Sequence, residues 1–323
     1  MTYTPPYTIT SKMVTLIAQI TEAVTRIEIL EPTAITPMLR RKNRIKTLAG
    51  TLEIEGNMLG EEKITALLDG KRVLGTVLEL AEVQGAIKAY EKLEEYRYDA
   101  INDLLSAHKI LMGDILKTAG TFRTVNVGVG SESGMSHVAP PYDRVSELMG
   151  HLFEWLGTSD AHPLIISSVF HYEFEFIHPF SDGNGRIGRL WQSVILHHWK
   201  KVFASIPVES AVRERQQDYY HALESSGSMG ESTPFIEFML EAILESIAKV
   251  GEKVGEKVGE NLTKNQKQII AAIQDNPSIS AQELSIIIGI SSRKIEANIA
   301  KLKQKNLLKR IGAAKGGHWE VLS

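Results

Sequence analysis

The run HPFSDGNGRIGRL, His178 to Leu190, sets one imidazole, one carboxylate, one side-chain amide and two guanidinium groups within thirteen positions. Glycines at 183 and 185 let a backbone approach an anion closely and take positive φ where required. Asn184 can donate its amide to the same oxygens. Arg186 and Arg189, three apart, point two planar forks to one side of a helix, where successive phosphates would sit. Asp182 beside such an anion would repel it unless a hard cation intervenes, and Mg2+ shared between a carboxylate and phosphate oxygens removes the conflict. His178, with an ordinary pKa of about 6.5, suits removal of a proton from an attacking hydroxyl. Together these are the parts of an in-line phosphoryl or nucleotidyl transfer. A plain turn between helices would use the glycines but has no need of the imidazole, carboxylate, amide and paired arginines.

The elements that must hold this run are legible on either side of it. Upstream, IISSVFHYEFEFI places Phe170, Phe174 and Ile177 on one helical face, and Pro179 stops the helix near His178. Downstream, Ile187, Leu190, Val194 and Ile195 resume a buried stripe. FSDGNG is therefore a tight loop leading into a helix N-terminus, a ready anion site. Lone histidines at 171, 197 and 198 are read as core or surface residues without chemistry. From Ile9 to Ala119 the text is helical, with apolar residues at three- and four-residue steps. Between Thr121 and Pro141 it alternates around a Gly/Ser-rich turn, which predicts a β-hairpin. Helical periodicity returns from Tyr142 to Lys200 and from Arg213 to Lys249.

At this point the resemblance is plain. The run fits HPFxDGNGRxxR, the signature of Fic proteins, at every fixed position, and GTFR, the hairpin and DYYHAL are similar to the same family. The resemblance runs from near the start to about Ala248. It implies an ATP-dependent protein adenylyltransferase, in which a Ser, Thr or Tyr hydroxyl of a target protein, or of the chain itself, attacks the α-phosphorus and pyrophosphate leaves. It makes His178 the base, Asp182 the magnesium ligand, Gly183, Asn184 and Gly185 the phosphate cradle, and Arg186 and Arg189 the partners of the outer phosphates. It makes Val127, Gly128, Val129 and Gly130 part of a flap that holds the target in extended form by strand addition. Tyr219 and Tyr220 match a pair lining the nucleotide pocket. The family's asparagine a few residues later is missing, and SSGSMG offers Ser226, Gly227 or Ser228 in its place.

TLEIEGNML, Thr51 to Leu59, resembles the inhibitory pattern [S/T]xxxE[G/N] that some Fic proteins carry ahead of the core. The resemblance gives Glu55 an inhibitory role: its carboxylate on Arg189 would occupy the fork meant for the γ-phosphate and leave ATP badly oriented. It also allows Glu55 to orient a water for hydrolytic removal of AMP. Two rivals stand beside this reading. One is transfer of phosphate, another nucleotide or a phosphate-linked alcohol on the same scaffold; the other is a transcription regulator whose Fic body only senses nucleotide.

The 323 residues suffice for several domains, and 43% hydrophobic with 23% charged residues is the balance of a soluble globular chain. Without cysteine, disulfides and thiolate zinc sites are excluded, which favours a cytoplasmic setting. No secretory leader and no uncharged apolar run of membrane-spanning length is seen. KVGEKVGEKVGENLTKN repeats VGE three times and is read as a solvated connector, either helical tether or flexible linker. Beyond it, three short helical segments, a Ser280/Glu283 capping box and two strands resemble a winged helix, with Ser292 to Lys305 as recognition helix. Residues from Asn261 onward carry ten Lys and Arg against four acids. Arg293, Lys294, Lys301, Lys303 and Lys305 would meet DNA phosphates from the helix, and Lys309, Arg310 and Lys315 from the wing, with protein docking or dimerisation as the alternative. Ile295, Ile299 and Leu302 are assigned to its core.

The expected architecture is thus mostly α: a Fic-type helical bundle with a β-hairpin flap, plus a small C-terminal winged helix-turn-helix domain. The expected divisions are an N-terminal helical region at 1–100, a catalytic core at 101–249 with its flap at 121–141, a linker at 250–262 and the winged helix at 263–323. ATP and Mg2+ are the expected small ligands. A hydroxyl-bearing protein and DNA are the expected macromolecular partners, with no membrane and with homodimerisation left open.

Overall fold

Helical periodicity becomes fourteen α-helices and two two-stranded sheets in the computed structural model, which describes residues 3–34, 36–131, 134–260, 262–305, 307–312 and 317–322. In chain order these are α1 (Ser11–Ala34), α2 (Pro37–Ile54), α3 (Gly60–Leu68), α4 (Val77–Glu91), α5 (Ile101–Met112), β1 (Gly128–Ser131), β2 (Gly134–Val138), α6 (Val145–Thr158), α7 (Pro163–Ile177), α8 (Asn184–Trp199), α9 (Val208–Glu214) and α10 (Gln216–Met229). α11 (Thr233–Glu260), α12 (Lys264–Asp275), α13 (Ala281–Ile288), α14 (Ser292–Gln304), β3 (Leu308–Ile311) and β4 (His318–Val321) follow. Two compact units form. One holds residues up to Val24 together with Leu39–Ile247, and the other Thr25–Met38 together with the chain from Ala248 onward. Among the described residues no helix is long and apolar enough to cross a membrane.

The first unit is built around α7 and α8, which pack along their length. α7 starts with Pro163 in the first turn, where its missing N–H costs nothing, and His162 Nδ1 accepts the Leu164 N–H. Phe170, Phe174, Phe180, Leu190, Trp191 and Val194 have no exposed surface. Each such side chain contributes roughly 1.5–3 kcal/mol by leaving water. The Trp191 indole, buried among these, finds its partner in the Tyr98 carbonyl at 2.9 Å. α2 lies against this core at Gly50, where a Cβ would come within 2.7 Å of the Glu209 backbone. The Asn43 side-chain amide to the Ser205 carbonyl (2.8 Å) and the Ser210 hydroxyl to the Lys46 carbonyl (3.0 Å) hold the same helix.

The expected hairpin is present as β1 and β2, antiparallel, with Gly128 opposite Val138 and a register shift between Val129 and Gly130. α11 stays helical through the VGE repeat to Glu260, the tether rather than the flexible form of that connector. In the second unit, Ser280 accepts the Glu283 N–H and the Glu283 carboxylate accepts the Ser280 N–H, the capping box read from sequence. Ile295, Ile299 and Leu302 are buried with Ile269, Ile273 and Leu284. Trp319 fastens the hairpin of β3 and β4: its backbone N–H donates to Pro277, its indole N–H to Ile279, and Arg310 covers its ring at 4.7 Å.

Candidate active site

Two left-handed residues shape the loop between α7 and α8. α7 ends at His178, whose φ of +49° makes it the one non-glycine residue with positive φ among those described, and Gly183, φ +82°, opens α8. A side chain at Gly183 would also strike the Met112 sulfur at 2.8 Å. Asn184 is turned inward: its amide oxygen accepts the Phe180 N–H and its NH2 donates to the Phe180 carbonyl, both at 2.9 Å. The amide assigned to phosphate on sequence grounds is therefore occupied with holding the loop. Asp182 stays half-exposed, and its Oδ1 accepts from the Gly183 N–H (2.6 Å) and from Arg186 (3.1 Å).

Both arginines of the loop are buried and both meet acids. Arg186 donates to Glu82 Oε1 at 2.8 Å as well as to Asp182. Arg189, 2% exposed, donates from Nη2 to Glu55 Oε1 at 2.6 Å and to the Thr51 carbonyl at 3.1 Å, and from Nε to the Thr51 hydroxyl at 3.0 Å. Thr51 and Glu55 are four apart at the end of α2, so one helical face presents both. Burial by itself would raise the Glu55 carboxyl, but Arg189 overrides it, with Arg186 and His178 adding, and the group stays charged below its usual range. Burial likewise opposes charge on Arg189, and Glu55 more than restores it. The Glu55 carboxylate lies over Gly185, where a Cβ would overlap it. It thus acts as an internal anion in the cradle that the glycines leave open at the α8 N-terminus.

Several residues that sequence reading left without a role hold this arrangement in place. His108 stacks on Phe180 with ring centroids 3.6 Å apart, accepts the Gly120 N–H at Nδ1, and donates from Nε2 to the Asp182 carbonyl at 3.0 Å. That tautomer is neutral, in keeping with burial, which pushes the imidazole down to about 4. Arg123, part of GTFR, spends its guanidinium on backbone oxygens of His178 (2.8 Å), Val125 (2.9 Å), Pro140 (2.5 Å) and Ile177 (3.3 Å), clasping the hairpin base to the loop. We expect Arg123→Ala to cost about 2–3 kcal/mol and to speed amide exchange at the hairpin base, read by a thermal melt and hydrogen exchange. Glu175, one turn before His178, is pushed up to about 8 by burial, against the pull of Arg189 and with the push of Glu55.

A profile described as the Fic/DOC family matches residues 98–196. The crystal structure of a Fic family protein from Desulfovibrio desulfuricans G20 is 39% identical, with a TM-score of 0.75, and the match covers 99% of this chain and 98% of that one. The chain belongs to the Fic family. Among curated Fic relatives, the protein adenylyltransferase fic-1 of Caenorhabditis briggsae is 30% identical over 201 residues, 58% of this chain and 38% of that protein. The protein adenylyltransferase Fic of Aedes aegypti is 27% identical over 208 residues, 61% of this chain and 40% of that protein. The match thus spans about two fifths of the length of these curated relatives. Fic-1 from C. elegans shares the fold at 21% identity and a TM-score of 0.58. A winged helix-turn-helix DNA-binding profile matches residues 262–309.

Of the residues assigned through the Fic signature, the fold gathers His178, Asp182, Gly183, Gly185, Arg186 and Arg189 at one loop, with Glu55 arriving from α2. The Tyr pair divides. Tyr219 is 2% exposed with its hydroxyl on His171 Nε2 at 3.1 Å, and Tyr220 is 44% exposed with its hydroxyl accepting from Gln216. Gln216 also donates to the Ile54 carbonyl at 3.1 Å, beside the turn that carries Glu55. Val127 and Gly128 lead into β1, and the backbone of Val129 and Gly130 carries its register shift. Lys315 falls outside the described residues. Among the described residues no group of three or more His, Asp or Glu could hold a metal by itself. A single half-exposed carboxylate, Asp182, fits a magnesium ion that brings most of its shell as water and phosphate oxygens.

Proposed function

We propose that this Fic protein is a protein adenylyltransferase that transfers AMP from ATP to a protein hydroxyl, and that Glu55 restrains it. The observation that carries this reading is the Glu55 carboxylate seated on Arg189 and over Gly185, an anion already in the place the chemistry reserves for phosphate. The target hydroxyl attacks the α-phosphorus as His178 takes its proton. The new O–P bond forms while the α–β bridge breaks, and pyrophosphate leaves with its charge held by Arg186 and Arg189. Magnesium on Asp182 would supply charge neutralisation at the phosphate oxygens. Arg123 and His108 keep the His178 and Asp182 backbone fixed, so that the base and the anion site do not drift apart. ATP labelled at the α or the γ phosphate tests this directly: α-label becoming covalent supports AMP transfer, and γ-label becoming covalent overturns it in favour of phosphate transfer.

The second unit supports a nucleic-acid role. Arg293, Lys294, Lys301 and Lys303 are exposed on α14, and Lys309 is exposed on β3. Duplex DNA affinity should fall with salt, with a log–log slope of about −3 to −4 for four phosphate contacts. Fluorescence anisotropy across a salt series measures it, and absence of binding at low salt leaves protein docking as the role of this unit.

A further inference from the structure

The transfer reaction makes no use of Asn57 or Glu82, yet these two side chains tie the turn that carries Glu55 to Arg186. Asn57, 3% exposed, follows Glu55 and Gly56 in the turn that ends α2. Its Nδ2 donates to Glu82 Oε2 at 2.8 Å and to the Glu79 carbonyl at 3.1 Å, and its Oδ1 accepts the Leu59 N–H at 3.2 Å. Glu82 uses its other oxygen to accept from Arg186 at 2.8 Å. Side-chain bonds therefore run from Asn57 through Glu82 and Arg186 to Asp182, and the short backbone turn Glu55–Gly56–Asn57 joins them to the carboxylate on Arg189.

We propose that Asn57 and Glu82 are positioning residues that latch Glu55 onto Arg189, with Arg186 as the anchor of the latch. Arg186 fixes the Glu82 carboxylate, Glu82 fixes Asn57, and Asn57 fixes the turn whose preceding residue carries the inhibitory acid. The partners in this path are mostly buried and several are charged, so each bond is worth more than a surface contact. One arginine of the loop thereby holds in place the acid that blocks the other, and a phosphate that draws Arg186 off Glu82 removes the anchor. This inference rests on the reading of Glu55 as a restraint.

Asn57→Asp tests it with almost no change of shape. The variant keeps an oxygen for the Leu59 N–H, loses the donor to Glu82, and sets two carboxylates against each other. In the full chain without nucleotide, the Glu55 and Gly56 amides, which close the turn onto Leu52 and Glu53, should exchange with solvent about tenfold faster or more, as expected for loss of a hydrogen bond to a charged group. Adding Glu82→Gln supplies a donor to the new carboxylate while its amide oxygen still accepts from Arg186, and should return exchange most of the way. Unchanged exchange in Asn57→Asp, or a double variant as fast as the single one, overturns the latch. If Asn57→Asp does not fold, Asn57→Ala takes its place, with the same acceleration expected and unchanged exchange again overturning the proposal. In α-label incorporation, Asn57→Asp should raise transfer in the wild-type background and add nothing to Glu55→Gly; equal gains in both backgrounds speak against it. A Glu55→Gly protein no more active than wild type overturns the restraint itself, while the exchange measurement still decides the latch.

Discussion

His178→Ala should lower incorporation of α-labelled AMP by about 10²–10⁴-fold, the contribution usual for a positioned general base, while nucleotide affinity in a direct binding assay changes little. The affinity survives because the backbone, not the imidazole, builds the loop: the His178 carbonyl accepts from Arg123 and its N–H donates to Phe174 whatever the side chain. One complication is conformational. With φ at +49°, His178 occupies a region that costs an ordinary L-residue roughly 1–2 kcal/mol. Asn tolerates this region better than Ala, so His178→Asn separates lost chemistry from a strained helix end. Comparable inactivity of both variants with unchanged melting temperature assigns the effect to the imidazole. Retained transfer in either removes His178 from the role of general base, and absence of transfer in the wild type and in Glu55→Gly returns the protein to the class of nucleotide sensors.

Glu55→Gly should act in the opposite direction, raising α-label incorporation by about 10²-fold, the penalty that a misplaced reacting group imposes. The same substitution should make the nucleotide-free protein less stable. Arg189 is 2% exposed while the Glu55 side chain is 29% exposed, and losing a hydrogen bond to a charged group in such a part-buried pair costs about 1.5–3 kcal/mol. Bound ATP would restore an anion to that fork, so the melting temperature of Glu55→Gly should climb more steeply with ATP than that of the wild type. Glu175 moderates the loss: with the Glu55 charge gone, its carboxyl no longer feels that repulsion while the pull of Arg189 remains, and it ionises more readily than at about 8. Because burial raises Glu175 in the folded protein, its ionisation costs stability as the pH rises toward about 8, and easier ionisation in the variant makes that loss smaller, so the stability gap between wild type and variant should narrow as the pH is raised. Equal stability and equal labelling in both proteins would remove Glu55 from any regulatory role.

Much of this arrangement is legible in the sequence, and the reasons differ by feature. The ends of α7 and α8 were legible because Pro179 forbids continuation and the glycines permit a reversal. The capping box of α13 was legible because both of its bonds lie within four residues. The Glu55–Arg189 contact spans 134 residues; a pattern suggested it, and no local rule could have located it. Asn184 shows the limit of reasoning from side-chain chemistry, since an amide able to bind phosphate is equally able to tie its own loop, and four-residue proximity favoured the loop. Arg123 lies in GTFR and Asn57 in TLEIEGNML, yet the roles of these two, like those of His108 and Glu82, are not legible there because each acts on backbone or side chains that only the tertiary fold brings near. Tyr219 and Tyr220 were adjacent in the text, but consecutive helical residues point about 100° apart, which is why one is buried and the other is not.

The order of Glu55 and Arg189 along the chain has a consequence for biosynthesis. Protein synthesis proceeds from the amino end, so the acid leaves the ribosome 134 residues ahead of the guanidinium it will meet. When α8 first docks against α7, the helix that carries Glu55 has already been made. On the proposed role of Glu55, a newborn molecule need not pass through an interval in which the Arg189 fork stands open.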